Sequence, residues 1–199
     1  MRTRLALAVS LIAAALATGG CERLFAPAKG PFKGIDVTGG DMGGELRLTG
    51  HDGKARTLAD FRGKLVVVSF GFTQCPDVCP TTLADLAKVM KQLGPEARNV
   101  QVLFVTVDPK RDTQELLQQY VPEFHPDFLG LRGDAAATTK VTKEFHVYAQ
   151  ERAGRDGNYT MDHSAQLFVI DRQGKMRLLF PAGAPPENIA SDLRVLLNS

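Results

Sequence analysis

The sequence predicts an α/β domain with a central mixed sheet, helices on both faces and an added N-terminal hairpin. Three observations carry that expectation. Residues 65–70 and 100–107 are mostly apolar, with Val66, Val67 and Val68 unbroken, as in strands buried on both faces. Helical periodicity follows the first run directly and recurs after the second. The chain then closes on a hairpin and a last helix, so strands and helices alternate along most of its length.

Taken in order, Arg2 and Arg4 precede an uncharged run over 5–20, and Thr18-Gly19-Gly20 lead into Cys21, the order of a secretory signal over 1–20. The run has 16 residues, short of the ~20 that a spanning helix needs, so cleavage is favoured. Its end resembles a bacterial lipoprotein signal, in which Cys21 becomes the lipidated N-terminus, although Thr18 stands where such signals usually carry Leu. Ordinary cleavage and an uncleaved anchor are the alternatives. Residues 21–34, with Pro27, Gly30 and Pro31, read as a tether. The expected protein is an exported bacterial lipoprotein, anchored to a membrane and facing the periplasm or cell exterior.

The domain is expected over 35–199. Residues 45–49 alternate, His51-Asp52-Gly53 is a turn signal and 54–58 follow, which predicts a hairpin. After the first buried strand, Leu83, Leu86, Val89, Met90 and Leu93 recur at helical spacing and Gly94 stops the helix. Beyond the second, 112–124 is read as helical, 128–131 as a short strand, and Asp134 as the cap of a helix running to about 145. Asp108 and Asp112 are expected to begin and cap the helix between these strands. Residues 165–170 and 175–180 flank the turn Asp171-Arg172-Gln173-Gly174, and Pro186 opens a helix with Ile189, Leu193 and Leu196 on its apolar face.

Removing 1–20 takes away Arg2 and Arg4 and no acid, which leaves 22 basic and 22 acidic side chains. A neutral balance implies no nucleic-acid partner. With 44% hydrophobic and 23% charged residues, the rest of the chain can bury a core without disulfide staples.

That leaves the cysteines. Gly71-Phe72-Thr73-Gln74-Cys75-Pro76-Asp77-Val78-Cys79-Pro80 lies between the first buried strand and the first helix, so two thiols sit at a strand-to-helix corner. Unpaired N–H groups at the helix start are expected to favour thiolate, with Cys79 as the N-cap and Pro80 as the first helical residue. Three residues separate the cysteines, against two in thioredoxin-type reductants, and the extra residue leaves room for a shared metal. A structural disulfide closing so short a loop would gain little entropy.

The 71–80 stretch, Val107-Asp108-Pro109-Lys110-Arg111-Asp112, and Met161-Asp162-His163-Ser164 together resemble the Sco/SenC copper proteins over about 35–199. The resemblance implies a thioredoxin-like fold and copper held by Cys75, Cys79 and His163. It also implies a part in assembling the binuclear copper centre of cytochrome c oxidase. The expected partners are the copper-bearing subunit of that oxidase, another copper chaperone and, since a disulfide cannot bind copper as thiolates, a periplasmic thiol reductant. Gln74 departs from a frequent family histidine and Met161 from a frequent branched aliphatic; neither is a ligand position.

The chemistry agrees. Two thiolates and an imidazole form a soft set suited to copper, as Cu(I) or Cu(II), though zinc accepts the same ligands. Asp77 and Asp162 are the candidates for tuning the thiols and orienting His163, with a solvated loop acid and a turn residue as their plainer readings. His51, His125 and His146 read as surface or capping histidines. Two classes of function stay open: a copper metallochaperone, and a thiol-disulfide oxidoreductase in which Cys75 and Cys79 attack and resolve. A peroxidase is a third, with Thr73 near Cys75 but no arginine assignable beside it. Thioredoxin-type enzymes usually keep a proline facing the cysteines, and Asp162-His163-Ser164-Ala165 has none, which favours the copper reading.

Overall fold

In the computed structural model, which describes residues 30–154 and 158–199, the two apolar runs become neighbouring parallel strands. The order is β1 (Ile35–Asp36), the hairpin β2 (Arg47–Gly50) and β3 (Ala55–Thr57), β4 (Leu65–Gly71), α1 (Val78–Leu93), β5 (Val100–Thr106) and α2 (Gln114–Tyr120). Then come β6 (Leu129–Arg132), α3 (Ala135–Glu144), a second hairpin β7 (Ala149–Ala153) and β8 (Tyr159–His163), β9 (Leu167–Ile170), β10 (Met176–Phe180) and α4 (Pro186–Leu197). Eight strands form one sheet in the order β1-β10-β9-β4-β5-β6-β2-β3, and β7 and β8 form a separate two-stranded sheet. The expected signal over 1–20 and Cys21 lie outside the described residues.

The sheet is mixed because β4 pairs parallel with β5 and antiparallel with β9. All seven residues of β4 are buried. Since successive strand side chains point to opposite faces, both faces of the sheet are covered there. Phe70, Phe145 and Phe168 meet with ring centroids 5.3–5.7 Å apart in tilted and edge-on contacts, the geometry aromatic quadrupoles prefer. The expected apolar faces of α1 and α4 are buried. Gly94 ends α1 at φ 56°, its N–H returning to the carbonyls of Met90 and Lys91. The first hairpin forms as the alternation predicts, and it joins the sheet edge through antiparallel pairing of β2 with β6.

Several boundaries differ from expectation for local reasons. α1 starts at Val78 with Asp77 as its N-cap, so Cys79 is inside the first turn rather than capping it. Pro80 is tolerated at the third helical position because N–H groups of the first turn have no intrahelical partner to lose. Neither Asp108 nor Asp112 starts the next helix: Thr113 caps α2, its side chain accepting from the Leu116 N–H. Asp134 does cap α3, accepting from the Ala137 N–H. Lys33 and Gly34, assigned to the tether, have their N–H groups bound by the buried Asp192 carboxylate at 2.7 Å each. The β7–β8 hairpin was not foreseen, because a strand reading Ala-Gln-Glu-Arg-Ala has four exposed residues and no hydrophobic alternation.

Candidate metal centre

The cysteine corner begins where β4 ends. A Cβ on Gly71 would lie 2.7 Å from the Phe104 ring and 2.8 Å from Cys79 Sγ, so only glycine lets the strand pass beneath the sulfur. Past it, Thr73 is held from below by Asp112. The Thr73 N–H and Oγ1 both donate to that carboxylate, and Thr106 Oγ1 donates at 2.6 Å. Asp112 is fully buried. Burial pushes its carboxyl above the usual range, and hydrogen bonds from Thr106 and Thr73 oppose that rise without cancelling it. Because its hydroxyl serves Asp112, Thr73 supports the loop instead of facing a peroxide.

Cys79, buried at 3% exposure, donates its N–H to Cys75 Sγ at 3.4 Å. The helix start therefore does supply an N–H to sulfur, but to that of Cys75. For Cys79 the expected shift toward thiolate is reversed: burial, aided by the hydrogen bond to Cys75, pushes its thiol well above the ordinary range. Both cysteines are free, and Cys75 is half-buried.

His163 ends β8 and reaches the corner with Nε2 3.5 Å from Cys79 Sγ. Its Nδ1 lies 2.8 Å from the Ser164 carbonyl oxygen, which can only accept, so Nδ1 donates there and Nε2 is the nitrogen turned toward the sulfur. Phe72 supports the ring edge-on, with centroids 5.8 Å apart. The orienting partner is thus a backbone carbonyl and not Asp162. Neighbours on a strand point to opposite sides, and the Asp162 carboxylate pairs with Arg152 across the hairpin. Asp77 is exposed at the N-cap of α1 and forms no side-chain capping bond. His51, His125 and His146 lie apart from the site: His51 Nδ1 accepts from the Gly130 N–H, and His125 Nδ1 accepts from the Asp127 N–H.

One ligand atom each from Cys75, Cys79 and His163 lies within 4.8 Å of the others. For bonds of about 2.3 Å to sulfur and 2.0 Å to nitrogen, the donors of a three-coordinate ion sit about 3.7–4.0 Å apart. Closure needs less than about 1 Å of movement, so the residues present fit a soft metal ion. Above the donors opens a cavity of about 400 Å³ lined in part by Phe72, Val78, Tyr148 and Met161, and Val78 and Tyr148 are exposed apolar side chains.

Sequence reasoning missed Arg111. Its Nη1 bonds Gln74 Oε1 at 3.0 Å and the Tyr159 carbonyl at 2.8 Å, its Nε pairs with Asp108, and its guanidinium lies 3.7 Å over the Tyr159 ring. The signal was present in the 107–112 run, but its partners lie 37 and 48 residues away.

Residues 36–198 match the SCO1/SenC family. The mitochondrial SCO2 homolog of Bos taurus is 38% identical over 154 residues, which cover 76% of this chain and 58% of that protein. The solved structure of Bradyrhizobium japonicum ScoI with copper bound is 40% identical, with a TM-score of 0.73, covering 78% of this chain and 99% of that one. A SCO1/SenC family lipoprotein from Bacillus anthracis is 27% identical, with a TM-score of 0.69, covering 81% and 97%. The fold is thioredoxin-like, as the sequence resemblance implied. With the match running through almost the whole described domain and the cysteine corner and His163 meeting in space, the chain belongs to the SCO1/SenC family.

Proposed function

We propose that this domain is a copper metallochaperone that binds copper through Cys75, Cys79 and His163 and delivers it during assembly of the binuclear copper centre of cytochrome c oxidase. The observation that carries this reading is the meeting of two sulfurs and one imidazole nitrogen within 4.8 Å. Copper is the cargo. Two thiolates and a neutral ring give bound Cu(I) a net charge of minus one, and loading must release the Cys79 proton that burial otherwise retains. The half-exposed Cys75 and the apolar rim of Val78 and Tyr148 suit hand-over to a docked protein, the copper-bearing subunit of the oxidase. The copper-bound relative from Bradyrhizobium japonicum supports the choice of metal.

Only the reduced protein is expected to load Cu(I), at one ion per chain. A Cys75–Cys79 disulfide offers no thiolate, so a periplasmic thiol reductant is an implied partner, supplying two electrons and two protons per disulfide. Anaerobic titration with a Cu(I) indicator checks this, and equal uptake by the reduced and disulfide forms would refute it.

Placement follows from the sequence before the domain. Residues 1–20 act as a lipoprotein signal, Cys21 carries lipid, the residues after it tether the domain up to Lys33 and Gly34, which Asp192 binds, and the protein faces the periplasm or cell exterior. The lipoprotein relative from Bacillus anthracis supports this reading. Cys21→Ser is expected to abolish lipid attachment and change precursor processing. Mass spectrometry of the mature N-terminus decides, and an unmodified Cys21 in the wild-type protein sinks the assignment.

A further inference from the structure

The hairpin that carries His163 is weakly packed against the rest of the domain. Residues 150–153 are exposed. A cavity of about 190 Å³ separates the hairpin from α3, with Ala149 and Met161 on one side and Thr138 and Thr142 on the other. The hairpin's apolar contact with the core comes from Ala149 and Met161, so specific polar attachments share in locating it. At its base, Ser164 and Tyr148 bond each other through N–H and carbonyl and through the Ser164 hydroxyl, which closes the hairpin without tying it to the sheet.

The attachment lies at the other end. Tyr159, the first residue of β8, is held three ways: its carbonyl accepts from Arg111 Nη1, its ring lies under the guanidinium, and its hydroxyl donates to Asp108 Oδ1 at 2.8 Å. Asp108 is 2% exposed and pairs with Arg111, whose side chain is 16% exposed. The same Arg111 Nη1 bonds Gln74, the neighbour of Cys75. The outer ion pair, Lys110 with Glu151, is exposed on both sides and is weak by comparison. One guanidinium thus bridges the strand that delivers His163 and the loop that delivers Cys75.

We propose that Arg111, with Asp108 and Tyr159, is a positioning clamp that holds strand β8 in place against the cysteine loop, and so sets the Cu(II) affinity of the site by keeping His163 at ligand distance. The proposal rests on His163 being a copper ligand. Cu(I) tolerates two soft sulfur donors and depends little on the clamp, whereas Cu(II) needs the nitrogen.

Removing Arg111 alone would strand the buried Asp108 charge, so the main variant is Arg111→Met with Asp108→Asn. Tyr159→Phe, which keeps the ring and loses only the hydroxyl bond, is a second that spares the fold. Cu(II) affinity, the Cu(II) absorption spectrum and Cu(I) affinity are measured on each, on His163→Ala, and on the combinations. The double variant is expected to lose about 10-fold or more in Cu(II) affinity, with a spectrum shifted toward that of His163→Ala and Cu(I) affinity within about threefold. Tyr159→Phe should show the same effect at smaller size. In the His163→Ala background neither should cause further loss, because both act through that ring. Without metal, amide exchange over 149–153 and 159–163 should quicken. Wild-type Cu(II) affinity in both clamp variants overturns the clamp, as does an equal loss in the His163→Ala background or an equal loss of Cu(I) affinity. If His163→Ala itself leaves Cu(II) unchanged, the ligand assignment falls and the clamp with it. Should the double variant fail to fold, wild-type behaviour of Tyr159→Phe overturns the clamp by itself.

Discussion

His163→Ala is expected to lower Cu(II) affinity by at least about 10- to 100-fold, the cost that losing even an outer partner of a metal ligand imposes. Cu(I) should still load through Cys75 and Cys79. The asymmetry follows from ligand preference: Cu(I) accepts low coordination by soft sulfur, and Cu(II) needs harder nitrogen donors. The ring contributes little to stability beyond its edge contact with Phe72 and its bond to Ser164, so the variant should fold and its cysteines should still form a disulfide. Cu(II) titration, read beside a thiol-disulfide exchange assay, therefore separates the two classes of function. Unchanged Cu(II) binding together with collapsed exchange would give the site to an oxidoreductase, with the half-exposed Cys75 as the attacking thiol and the buried Cys79 resolving.

Asp112→Ala should be the most destabilising single change near the site, costing about 3 kcal/mol or more in urea unfolding. Such a cost is typical when donors lose a buried charged acceptor. The Thr73 N–H, Thr73 Oγ1 and Thr106 Oγ1 would lose their common acceptor, and Thr106 is itself 1% exposed. Asp112→Asn should cost less, because its oxygen still accepts and a hydroxyl can turn to accept from its amide. The pair also tests pH. Burial raises the folded-state pKa of Asp112, so between its unfolded and folded values the native state holds the extra proton. Wild-type stability therefore falls as pH rises through that window. Relative to wild type, Asp112→Asn should gain as pH rises from below the ordinary carboxylate range toward neutrality. A stability difference that is flat over that range would show that the three donors balance burial, and one that moves the other way would show that they outweigh it.

The sequence alone determined the elements whose signals are local. Val66, Val67 and Val68 sit in an unbroken run because both faces of β4 are covered, and such a run reads as a buried strand without knowledge of its neighbours. The apolar spacing of α1, the Asp134 cap and the turn ending at Gly174 were legible because each obeys a period or a backbone preference contained within a few residues. The cysteine pair was legible as chemistry, and His163 only through the family resemblance. Burial of individual polar groups was not legible, since it depends on what packs against them. Cys79 sits at a helix start that would favour thiolate, yet the core around it raises its pKa instead. Asp108 and Asp112 look like helix starters, but the first answers Arg111 and Tyr159 and the second answers Thr73 and Thr106. Asp162 adjoins His163 in sequence and faces Arg152, because a strand sends neighbours to opposite sides. Contacts around the site also join distant elements, as in that of Arg111 with Tyr159 48 residues later. Closing such contacts costs chain entropy that the core as a whole offsets, so no local pattern in the sequence records them.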